Sequence, residues 1–127
     1  MAKEKQYKTT PKHFELFKKE CLKWINVLGL NDWEMDYTHK DIKSEWRSWV
    51  AYDVINRIAT INLEISWDDN KPTDNLVKRM AFHEVLHLLF ADISALVNSR
   101  TVTQKMLDMC EHKLIRILEN ILWDRMK

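Results

Sequence analysis

The sequence holds a single glycine and two prolines in 127 residues. So few chain breakers exclude a loop-rich or low-complexity chain, and the three act as punctuation between long regular elements. Cysteine is scarce as well. Cys21 and Cys110 are too few for a disulfide framework and too far apart for a paired metal knuckle. They read as buried free thiols of a reducing compartment. No run of 18 apolar residues occurs, so no segment of this sequence is expected to span a membrane. Met1 to Gln6 lack the apolar stretch of a secretory signal, and a cytoplasmic location is expected. Charge of one sign is also missing: 20 Lys and Arg against 19 Asp and Glu leave a net charge of +1. Residues 24–99 carry seven basic and twelve acidic side chains. That balance offers no electrostatic ground for nucleic acid or an anionic membrane as partner. Lys3, Lys5, Lys8 and Lys12 read as a solvated N-terminal tail over residues 1–10.

What is present suffices for one domain over residues 1–127, since 46% of the residues are hydrophobic and a chain of this length buries a core without staples. Thr10-Pro11 has the form of an N-cap followed by proline at the first helical position. Phe14, Phe17, Cys21, Trp24 and Leu28 then recur in steps of three and four, and Gly29 stands where a helix ends in a left-handed residue. A helix is expected over 11–28. Trp33, Met35 and Tyr37 alternate with polar residues, as do residues 49–54 and, most cleanly, Ala59, Ile61, Leu63 and Ile65. These are three expected strands, with Asn56-Arg57 as a tight turn. Residues 73–96 read as one helix, apolar nearly all round in its middle. Residues 104–123 read as a last amphipathic helix. The fold class is α+β, a small and mostly antiparallel three-stranded sheet covered by helices. The six tryptophans suit core packing, with Trp46 and Trp49 around Arg47 as the alternative exposed patch. His13 and His39 are isolated and read as structural or exposed.

Chemistry concentrates at His83-Glu84-Val85-Leu86-His87, a H-E-x-x-H pattern inside a segment that is helical on independent grounds. Residues four apart lie one turn apart on the same side, so two imidazoles can converge on one cation. Neutral imidazole is a good zinc ligand. Glu84 lies about 100° further round the helix and can act as general base on a water beside the metal. A His-Glu-His trio on a buried helix also needs compensation for its polar groups, and a cation supplies it.

A catalytic zinc takes a third protein ligand and keeps one position open. Asp92, Asp108, Glu111, His112 and Glu119 are the candidates. Counting from Leu107, Glu111 falls at about 40°, within the apolar stripe of the last helix, and His112 at about 140°, outside it. A carboxylate directed at the core needs a charge partner. Glu111 is therefore the expected third metal ligand, with His112 as the alternative.

His83 to His87 resembles the zincin metallopeptidase motif, and the 24-residue step from His87 to Glu111 resembles the gluzincin arrangement of two His and one Glu. Across residues 11–123 the order of elements is similar to that of small metallopeptidases of phages and prophages, and more distantly to SprT-like domains. Arg57 to Leu63 and His83 to Leu89 carry most of the likeness. Thermolysin-type gluzincins place an Asp where this chain has Ile115, and SprT-like sites use a third His, which corresponds better to His112. The resemblance implies a zinc-dependent peptidase with Zn²⁺ at His83, His87 and Glu111 and with Glu84 as the catalytic base. It further implies an extended peptide or protein substrate paired to an edge strand, for which Ala59–Ile65 is the expected one. A chain this short leaves no second cleft-forming domain, so the cleft is expected to be shallow or completed by a protein partner. Two alternatives stand beside this reading: a zinc-stabilised adaptor domain without turnover, and a DNA-associated protease of SprT type, which the charge balance disfavours.

Overall fold

A computed structural model describes residues 6–42 and 46–125, the side chain of Asp124 excepted. The first helix, α1 (Pro11–Val27), starts where the sequence predicts. The Thr10 side chain accepts from the His13 backbone N–H at 3.3 Å, and His13 Nδ1 accepts from the Thr10 N–H at 2.9 Å. His13 thus takes the place that Glu or Gln usually fills in a capping box. Gly29, at φ 69°, turns the chain out of the helix in the region that glycine enters at no steric cost.

Three strands follow: β1 (Glu34–His39), β2 (Ser48–Asp53) and β3 (Ile58–Leu63). Their order in the sheet is β1-β3-β2. β2 and β3 form an antiparallel hairpin with Ser48 opposite Leu63, closed by a turn in which Arg57 takes φ 56°. β1 runs parallel to β3, with Glu34 opposite Ile58. The sheet is therefore mixed rather than mostly antiparallel. The cause lies in two buried polar side chains. The Asn62 carboxamide accepts from the Lys40 N–H at 3.1 Å and donates to the Lys40 carbonyl at 3.1 Å. The Glu64 carboxylate accepts from the Ile42 N–H at 3.0 Å and from Trp49 Nε1 at 3.3 Å. Together they pin the segment leaving β1 across the end of β3, so β3 is inserted between its two predecessors. Strand alternation places Asn62 and Glu64 on the polar face, yet both are fully buried.

This order also corrects the expected role of Ala59–Ile65. β3 is the central strand, hydrogen-bonded on both sides, and offers no edge to a peptide. The N-terminal stretch is likewise tied down where it is described. Tyr7 and Thr9 donate backbone hydrogen bonds to Asp68 and Ile65, and the Trp67 N–H returns one to Tyr7. Residues 1–5 of the expected tail lie outside the described residues.

The predicted helix over 73–96 is two helices, α2 (Asp74–Leu89) and α3 (Ala91–Val97), bent by 47° at Phe90. The bend brings Asp92 to Arg57, whose guanidinium donates to both carboxylate oxygens at 2.6 and 3.2 Å. No proline or glycine marks this break, and the ion pair beside it joins residues 35 apart along the chain. α2 packs on α1 and β2. Val77, Ala81, Val85 and Leu88 face inward against Phe17, Cys21, Ile61 and Leu63 in the core. Among the described residues no single helix is long and apolar enough to cross a membrane. The last helix, α4 (Gln104–Arg125), packs on α3 and touches the core margin through Leu114, Ile117 and Ile121. None of its described residues is fully buried.

Candidate metal centre

α2 begins at the Thr73 cap, which accepts from the Leu76 N–H at 3.2 Å, and runs unbroken through the motif. The inward residues around it, Ala81, Val85 and Leu88, fix its rotation against α1. That rotation leaves His83 and His87 exposed on one side and buries Glu84 between them and the sheet. The two imidazole rings lie 5.0 Å apart at 77°. The ligand-capable atoms of His83, Glu84 and His87 all fall within 4.8 Å of one another. Two imidazoles one helical turn apart, edge toward face, form a donor pair that a borderline cation such as zinc accepts.

Glu84 is only 4% exposed. Its carboxylate accepts a short hydrogen bond from the Ser48 hydroxyl at the start of β2. Ser48 is itself buried. Burial pushes the Glu84 carboxyl above the usual carboxylate range, and the Ser48 hydrogen bond and the two imidazoles pull it back. A base that sits above its ordinary value is suited to returning a proton as well as taking one. Beside it opens a cavity of about 260 Å³ lined by Trp46, Arg47, Ser48, Met80, His83 and Glu84. Trp46 is 51% exposed at its mouth, and the Arg47 guanidinium lies 5.9 Å from the centre of the buried Trp67 ring.

Glu111 is not part of this group. The structure places it on the solvent side of α4. The apolar stripe of α4 is wider than the surface the helix buries, and Glu111 lies on the bare flank. His112 is also exposed and lines a separate groove with Lys105, Lys113 and Arg116. Asp92 is committed to Arg57 and Lys113, and Asp108 accepts from Gln104 at 2.9 Å. His39 is held by Thr9 at 2.7 Å and stacks on Phe14, a structural role. Of the tryptophans, Trp33 and Trp67 are buried, whereas Trp46 and Trp123 are exposed.

Ser48 is the site residue that sequence reasoning misses. A lone serine at a strand start carries no local signal, and only the packing of β2 on α2 gives it a partner. No protein-family model, no curated protein and no solved structure matches this chain.

Proposed function

We propose that the protein is a zinc-dependent metallohydrolase of peptidase type, with His83 and His87 as metal ligands and Glu84 as general base. One observation carries this reading: two imidazoles converge one helical turn apart beside a buried carboxylate that a second element orients. Zinc held there supplies Lewis acidity, polarising a carbonyl and lowering the pKa of a water toward about 7.

The chain's own residues do the rest. Ser48 occupies one Glu84 oxygen and fixes the carboxylate plane, leaving the other oxygen for a water. Glu84 takes a proton from that water as its oxygen adds to the carbonyl carbon. It then gives the proton to the amine nitrogen as the C–N bond breaks. β2 replaces β3 as the strand that would bind an extended substrate. Among the described residues it pairs only with β3, and main-chain pairing along its outer edge would lay a peptide beside Ser48 and Glu84. Glu111 and His112, both exposed on α4, lie outside this donor group.

Metal analysis of purified wild type, His83→Ala, His87→Ala, Glu111→Ala and His112→Ala tests the centre. About one zinc per chain in wild type and none in the two α2 variants is expected. Zinc absent from wild type, with stability indifferent to chelator, overturns the reading. Glu84→Gln is expected to keep the metal and lose cleavage of an unstructured peptide library. If loaded wild type also leaves every peptide intact, a zinc-stabilised adaptor takes its place.

A further inference from the structure

α4 carries a second apolar row besides the one that meets the core. Ile115, Leu118 and Leu122 are 48%, 37% and 54% exposed, and Trp123 beside them is 63% exposed. With Glu119 they line a groove of about 340 Å³. At the two ends of the same row stand Glu111 and Arg125, both exposed. The sequence numbers 111, 115, 118, 122 and 125 step by four, three, four and three, the spacing of a coiled-coil seam. Over those two heptads the row runs about 21 Å at 1.5 Å per residue.

The row is centred on Leu118, seven residues from either end, and its two ends carry opposite charges. It has an acid at one end, a base at the other and three aliphatic side chains between. A second copy laid antiparallel, with the axis near Leu118, brings Glu111 of each copy to Arg125 of the other and closes the aliphatic side chains between them. A parallel copy would instead set Glu111 beside Glu111 and Arg125 beside Arg125. We propose that α4 is a homodimer interface and that two copies of this chain pair through it as antiparallel helices. Such an isologous contact uses each ion pair twice. His83, Glu84 and His87 lie on α2 and take no part in this contact, so a dimer in the presence of chelator is expected as well.

Sedimentation over a wide concentration range tests it on the full chain. Wild type is expected to rise from 15.3 kDa toward twice that mass. Glu111→Arg and Arg125→Glu alone are each expected to weaken dimerisation by about tenfold, since each places like charges together at both ends. The double variant Glu111→Arg/Arg125→Glu is expected to restore it to within about threefold of wild type. Leu118→Glu should leave a monomer, and unchanged far-ultraviolet circular dichroism would show that this exposed substitution has not unfolded the chain. A wild type that stays at 15.3 kDa at every soluble concentration overturns the proposal. A dimer indifferent to the swaps and to Leu118→Glu overturns it equally.

Discussion

The Ser48 hydroxyl donates a hydrogen bond to the Glu84 carboxylate, joining the first residue of the outer strand β2 to the middle of α2. Both residues are buried, so the Glu84 oxygen that accepts this bond has little solvent to replace it. Ser48→Ala is expected to cost about 1–3 kcal/mol, the usual penalty for leaving a buried acceptor without its donor. Urea denaturation in the presence of chelator measures it, and Ser48→Thr, which keeps the hydroxyl, should recover most of the loss.

Arg57 binds Asp92 through two guanidinium nitrogens, reaches Asp32 through Nε at 3.0 Å, and lies 4.5 Å from the centre of the Trp33 ring. One side chain thereby joins the hairpin turn, the start of α3 and the chain ahead of β1. Arg57→Ala is expected to lower stability by about 1–2 kcal/mol. Arg57→Lys should be nearly as damaging, because an ammonium group cannot reproduce the two-pronged contact. Urea midpoints of the two variants check this, and a Lys variant equal to wild type would refute it.

Tyr37 has its hydroxyl buried without a hydrogen-bond partner among the described residues, and burial pushes its phenol well above the ordinary value. Removing that oxygen removes a desolvation cost and no bond. Tyr37→Phe is expected to be neutral or to stabilise by up to about 1 kcal/mol. A clear loss in thermal or urea unfolding would mean that the hydroxyl has a partner.

Burial lowers the pKa of His39, with Asp41 opposing and His13 adding to the shift. The unfolded chain therefore binds the proton more tightly than the folded one. Stability contributed by neutral His39 is complete above the ordinary imidazole value near 6.5 and is lost as pH falls through the lowered folded value. Urea midpoints at about pH 7.5 and about pH 5 should differ more for wild type than for His39→Gln. Equal differences in the two proteins would exclude the effect.

The Cys21 thiol is fully buried, and burial, with Glu84 and Glu20 as neighbouring charges, pushes its pKa far above the ordinary thiol value. Cys110, on α4, is half-buried. A thiol reagent added to native protein is expected to modify Cys110 and spare Cys21 until denaturant is added. Mass spectrometry of the modified peptides decides between them.

Much of this architecture is legible residue by residue. Thr10, Pro11 and Gly29 bound α1 because caps and left-handed positions are local chemistry. Alternation at Ala59, Ile61 and Leu63 marks β3 because a strand with one buried face repeats every two residues. His83, Glu84 and His87 share one helical turn by periodicity alone. The same reasoning mistakes Asn62 and Glu64 for outward residues. Alternation assigns them to a face but does not tell what covers that face, and here the segment leaving β1 folds over it. It also places Glu111 toward the core, since a helical wheel gives the angular width of a stripe and not the width of the surface it meets.

The sequence by itself determined where α1 begins and ends, where the three strands lie, and that an imidazole pair and a carboxylate share one turn, because each depends on neighbours within a few positions. Tertiary structure alone decided that β3 sits between β1 and β2, that α2 breaks at Phe90, that Ser48 holds Glu84, and that Glu111 faces solvent. Each of those outcomes involves a partner many residues away, and a hydrogen bond, ion pair or buried face of that kind exists only after the chain has closed.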